Sequence, residues 1–138
     1  ALAHESHGAL ADWYRQQRAY YEEMLCRLNA EFAEHLPGVI VSCPDASIYS
    51  VVDVRQVAKD GFDATQFVMY CARQGRVEID GQALTLLVAP MGGFYHVPGG
   101  EANPGLTQMR IAFVEPPEKM ALVPRLFAEL FRQYEAQR

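Results

Sequence analysis

The strongest pattern of apolar and polar positions lies at residues 85–114. Two apolar runs there flank a loop that contains Pro90, Gly92, Gly93, Pro98, Gly99, Gly100, Pro104 and Gly105. The second run, 107–114, reads as a strand. Met109, Ile111 and Phe113 share one face, and Gln108, Arg110 and Ala112 share the other, because successive strand residues point to opposite sides. Arg110 is the one charge in that run.

Upstream, Leu10, Trp13, Tyr14, Tyr21, Leu25, Leu28, Phe32 and Leu36 recur at helical spacing, which predicts one helix over 9–36. It would be roughly 40 Å long, so it either reaches beyond its own core or carries loose first turns; Pro37-Gly38 ends it. Residues 39–43 and 46–54 predict two strands joined through Pro44-Asp45, with Ile48, Ser50, Val52 and Val54 on one face. A polar connector covers 55–62. Asp63, with Gln66 three residues on, caps a helix whose buried stripe is expected to be Phe67, Val68, Cys71 and Ala72, with Gly75 closing it. Asp80-Gly81 predicts a type I′ hairpin between 77–79 and 83–84, with the second arm running on through 86–89 as a strand buried on both faces. Pro116-Pro117 opens a last helix bearing Leu122, Val123, Leu126, Phe127, Leu130, Phe131 and Tyr134, and Pro124 predicts a kink or restart within it.

The order helix, two strands, helix, hairpin, strand, helix predicts an α/β chain of the mixed α+β sandwich kind, with a sheet of roughly four strands covered by helices. At 138 residues, 50% hydrophobic and 21% charged, the chain makes a single domain: a first helix to residue 36, a sheet with one inserted helix over 39–114, and a closing helix over 116–138. The net charge of −5 and the scatter of basic residues argue against a nucleic-acid partner. No run of about 18 apolar residues spans a membrane. The first residues lack the basic start and apolar middle of a signal peptide, and Cys26, Cys43 and Cys71 read as reduced thiols, so a cytoplasmic setting is expected. His4 and His7 read as a solvated terminus, with a metal pair as the remote alternative.

Chemistry concentrates on Arg110. It is either a solvated arginine on an open sheet face or a guanidinium fork for a carboxylate, whose two oxygens match its planar donors. Phe94 and Tyr95, directly after Gly92-Gly93, either pack in the core or wall the same site. No nucleophile–base pairing, paired carboxylates or phosphate loop can be assembled. Asp45 and Asp53 read as turn residues, and His35 and His96 as isolated ones.

The segment Thr-Leu-Leu-Val-Ala-Pro-Met-Gly-Gly-Phe-Tyr at 85–95, followed at 103–114 by Asn-Pro-Gly-Leu-Thr-Gln-Met-Arg-Ile-Ala-Phe-Val, resembles the C-terminal part of class I/II aminotransferases. These are fold-type I pyridoxal-phosphate enzymes, aspartate aminotransferase being the best known. The helix at 13–36 looks like the family's long helix linking large and small domains, and 44–53 looks like its Pro-x-(Gly/Ala)-x-(Phe/Tyr) strand. The resemblance implies that Arg110 binds the substrate α-carboxylate and that Phe94, with Tyr95, belongs to the substrate-facing loop. It also implies an amino-acid or 2-oxo-acid substrate, a large domain holding pyridoxal 5'-phosphate, and a homodimer. Neither Lys59 nor Lys119, the two lysines of the chain, sits where the family's Schiff-base lysine would. The expectation is therefore a small domain with no cofactor of its own, inactive by itself. A free-standing carboxylate-binding module and an oligomerisation domain built on the first helix are the competing readings.

Overall fold

The computed structural model describes residues 7–138, and the His4–His7 pair lies outside the described side chains. Helix α1 (His7–His35) and the strands β1 (Ile40–Val41) and β2 (Tyr49–Asp53) come first. Helix α2 (Ala64–Arg73) and the hairpin β3 (Val77–Ile79) and β4 (Gln82–Leu84) follow. Strand β5 (Ala89–Pro90) leads through two 3-10 turns, Gly92–Phe94 and Pro104–Thr107, into β6 (Gln108–Ala112). Helices α3 (Pro117–Met120) and α4 (Val123–Gln137) close the chain.

The main sheet has four strands in the order β1-β2-β6-β5, all antiparallel. This is the expected sheet with helices against one face. The inner face carries Ser50, Val52, Val54, Met109, Ile111 and Phe113, all buried. Against it lie Leu28 and Phe32 of α1 and Leu126, Phe127 and Leu130 of α4. Aromatic rings knit the helices together edge to face, with Phe32 to Phe127 at 5.4 Å and Phe67 to Phe127 at 5.5 Å between centroids, the geometry favoured by ring quadrupoles.

Local signals act where the sequence placed them. Asp63 accepts from the backbone N–H groups of Thr65 and Gln66 at the start of α2. Asp80 and Gly81 both take positive φ, as a type I′ turn requires. Pro124 falls at the start of α4, where its missing N–H costs nothing, so α3 and α4 are a helix and its restart. Gly75 matters for close packing: a Cβ there would lie 2.9 Å from both Leu130 and Tyr70.

Four expectations need correction. The run 85–89 does not extend the hairpin as a doubly buried strand. Leu87 is 67% exposed, β3 and β4 form their own two-stranded sheet, and only Ala89 and Pro90 pair with β6. Pro90, which has no N–H to give, sits on that edge strand as proline must. On α2 the buried residues are Ala64, Phe67, Tyr70 and Cys71, with Ala72 exposed. The 55–62 connector is not wholly polar, since Phe62 joins the core against Phe67, Phe131 and Tyr134. Ile48 is exposed, so the inward alternation begins at Ser50.

Candidate carboxylate site on the outer sheet face

The antiparallel register sets Val51 opposite Arg110 and Asp53 opposite Gln108. Opposed residues share a face, so Tyr49, Val51, Asp53, Gln108, Arg110 and Ala112 all look outward, away from the helices.

Arg110 is half-buried between two aromatic rings. Its guanidinium carbon stands 4.3 Å from the Tyr49 centroid and 5.1 Å from that of Phe94. Tyr49 comes from β2 on one side of β6, and Phe94 follows β5 on the other. Such contacts hold a cation against ring faces with about 0.5–1 kcal/mol each at exposed sites. No acceptor among the described residues hydrogen-bonds or ion-pairs with the Arg110 guanidinium. Its planar fork is therefore oriented and uncommitted, the state in which it can take two oxygens of a carboxylate in its own plane.

Beside it lies a polar network that sequence reasoning missed. Asp53, expected in a turn, is 3% exposed within β2. Its carboxylate accepts from the Arg55 backbone N–H at 2.9 Å, Arg55 Nε at 2.7 Å, Thr107 Oγ1 at 2.8 Å and Gln108 Nε2 at 2.9 Å. Arg55 also ion-pairs with it through its terminal nitrogen. Burial pushes the Asp53 pKa up, but the hydrogen bonds from Arg55, Gln108 and Thr107 outweigh it and hold the carboxyl below its ordinary range. Asp53 in turn raises the Arg55 guanidinium. Because Asp53 and Arg55 cancel, Arg110 supplies the unpaired charge of this face. Tyr95 joins the network through its hydroxyl, which donates to Gln108 Oε1.

The loop carrying Phe94 and Tyr95 is tied down elsewhere. Met91 N donates to Gln108 O at 2.9 Å and Phe94 N to Met91 O at 2.9 Å. Asn103 Nδ2 donates to Gly92 O at 2.8 Å while its Oδ1 accepts from Gly105 N at 2.8 Å. Gly105 admits no side chain, since a Cβ would fall 2.6 Å from Met91 backbone atoms. The structure thus brings Arg110 and Phe94 into contact and places Tyr95 one hydrogen bond away, with Tyr49, Asp53, Arg55 and Gln108 completing the group. Strand parity was the signal available for Tyr49 and Asp53, which fall on the same face as Val51.

The remaining titratable candidates lie apart. Lys59 is held at the end of α4, where its backbone N–H donates to Glu135 Oε2 at 2.9 Å and its Nζ to the Glu135 carbonyl. Lys119 pairs with Glu115 at 3.0 Å. With both amines on the helical side, the described residues do not fit pyridoxal phosphate: the Arg110 face offers one uncommitted guanidinium, a second held by Asp53, and aromatic walls, with no amine to bond the cofactor. Burial pushes the Cys71 thiol up to about 11, which makes it an inert core residue. Among the described residues no group of three or more His, Cys, Asp or Glu could hold a metal, and no helix is long and apolar enough to cross a membrane.

Solved structures share this fold, among them three aminotransferases. The α-aminoadipate aminotransferase LysN of Thermus thermophilus, complexed with N-(5'-phosphopyridoxyl)-L-leucine, matches 94% of this chain with a TM-score of 0.68 and 14% identity. The kynurenine aminotransferase of Pyrococcus horikoshii, in complex with PMP, matches 92% with a TM-score of 0.66 and 17% identity. An archaeal alanine:glyoxylate aminotransferase matches 82% with a TM-score of 0.58 and 20% identity. The chain has the fold of part of an aminotransferase. It spans 29%, 27% and 24% of the length of those three chains. No protein-family model matches the sequence, and no curated protein does.

Proposed function

We propose that this chain is the C-terminal small domain of a pyridoxal-phosphate-dependent amino-acid aminotransferase, and that Arg110 binds the α-carboxylate of the amino acid and of the 2-oxo acid. The observation that carries the reading is the Arg110 guanidinium itself, clamped between Tyr49 and Phe94 with its donors uncommitted. A clamped fork loses little freedom when a carboxylate arrives, so more of the interaction survives as affinity. A carboxylate fixed in two places has its Cα oriented as well, and orientation of the reacting bond contributes directly to rate. Phe94, with Tyr95 behind it, forms the movable wall of the site.

The cofactor and the amine that bonds it belong in this proposal to a large domain of the same parent, which in turn forms a homodimer. The first half of α1 supports a covering domain. Trp13, Tyr14 and Tyr20 are 49%, 57% and 40% exposed there, while the second half of the helix sends Met24, Leu25, Leu28 and Phe32 into the core.

The test is Arg110→Ala in the full-length protein, assayed for amino transfer to a 2-oxo acid. Losing a charged hydrogen-bonding pair costs about 1.5–3 kcal/mol, so kcat/KM falls roughly tenfold to more than a hundredfold. Unchanged kcat/KM removes Arg110 from the site.

A further inference from the structure

Phe94 is 60% exposed, so burial does not hold its ring over Arg110. Its position depends on the Gly92–Phe94 turn, which is built on two glycines whose added Cβ atoms would meet nothing closer than 3.9 Å. Such a turn is held by its ties. One end is anchored through Met91 to β6 and through Asn103 to the second turn. The other end, where Phe94 itself stands, is tied by the Tyr95 hydroxyl to Gln108.

The direction of that last tie is set by chemistry two residues away. An ionised carboxylate only accepts, so Asp53 obliges Gln108 to turn its NH2 inward, at 2.9 Å. That leaves Gln108 Oε1 as an acceptor, and the Tyr95 hydroxyl must donate to it. Asp53 is fixed in turn by Arg55 on one oxygen and by Thr107 on the other. The result is a directional chain of hydrogen bonds, Tyr95 to Gln108 to Asp53, running across two strands and ending at the residue that follows Phe94. Each member is polarised by the next.

We propose that Tyr95 is a positioning residue: through Gln108 and Asp53 it latches the Gly92–Phe94 turn to the sheet and so keeps the Phe94 ring on the Arg110 guanidinium. The proposal rests on the carboxylate reading of Arg110 for its purpose, though not for its geometry. The latch holds Arg110 ready before a ligand arrives, and opening it frees Phe94 to swing away. Tyr95 touches no carboxylate itself; it acts through Phe94.

The experiment compares wild type, Tyr95→Phe and Phe94→Leu in the ligand-free chain. Tyr95→Phe keeps the ring and removes only the hydroxyl. A nucleus above a ring face is shifted upfield by the ring current, so the Arg110 Nε–H resonance reports whether Phe94 is in place. The expected result is that Tyr95→Phe loses the part of that shift which Phe94→Leu also loses, and that backbone amides of 92–95 exchange roughly threefold to tenfold faster, the consequence of one lost hydrogen bond. An Arg110 Nε–H resonance and exchange rates equal to wild type in Tyr95→Phe overturn the latch. A merely structural tie would speed exchange yet leave the Arg110 resonance in place, and that result overturns it as well. Both readouts are taken without ligand. The carboxylate reading falls or stands separately, by whether Arg110→Ala alters the response of the chain to acetate.

Discussion

The two faces of the main sheet are built from the same strands and answer to different forces. The inner face is aliphatic and aromatic apart from Ser50, with Val52 and Met109 at 0% exposure and Phe127 of α4, also at 0%, packed against it. The outer face alternates with it residue by residue and carries a buried carboxylate, an arginine between two rings and a turn held by hydrogen bonds. The first arrangement makes the fold. The second contributes less to folding and leaves a charged fork with no hydrogen-bond acceptor among the described residues, the feature on which the proposed carboxylate site rests.

Substitutions on the two faces should therefore separate stability from binding. The largest loss belongs to the core packed on the inner face. Phe127→Ala removes a ring that packs on Phe32 and Phe67, and chemical denaturation should show a loss of about 3–5 kcal/mol. Asp53→Ala comes next, at about 1–3 kcal/mol, because the donors of Gln108 and Thr107 lose their acceptor.

Asp53 also gives that face an acid sensitivity. Its pKa is lowered on folding from the ordinary 3.8, so its contribution is complete above that value and is lost as pH falls through the lowered one. Asp53→Asn should flatten the pH dependence of stability in that range. An unchanged acid profile would mean that the network does not hold the charge.

Arg110→Ala is expected to cost about 1–2 kcal/mol of stability, since its two cation–π contacts are what is lost. Its effect appears in carboxylate binding. A stability loss equal to that of Phe127→Ala would erase the distinction between the faces. The smallest effect is chemical: a thiol reagent near pH 8 should modify the exposed Cys26 and Cys43 and reach Cys71 only on unfolding, because a thiol with a pKa near 11 holds little thiolate.

Much of this was legible from strand parity. Gln108, Arg110 and Ala112 face outward and Met109, Ile111 and Phe113 inward, as the period of two requires. The helix that restarts at Pro124 and the hairpin at Asp80-Gly81 were legible because each rests on local backbone chemistry. What escaped was set by pairing at a distance. Asp53 resembles a turn residue until the register places it opposite Gln108. Tyr49 reaches Arg110 only because β2 lies beside β6. The run 85–89 is apolar throughout, and apolarity alone does not say which sheet a strand joins or that Leu87 turns to solvent. The resemblance to aminotransferases drew Phe94 and Arg110 together, as the fold does, yet it was silent on the Tyr95–Gln108–Asp53 chain behind them.

The most direct measurement is a titration of the chain with acetate, following the side-chain Nε–H resonances of its arginines, with chloride at matched ionic strength as the control. The account predicts that Arg110 responds to acetate ahead of an exposed arginine such as Arg27 on α1 and ignores chloride. A response at Arg110 no different from that at Arg27 would contradict it.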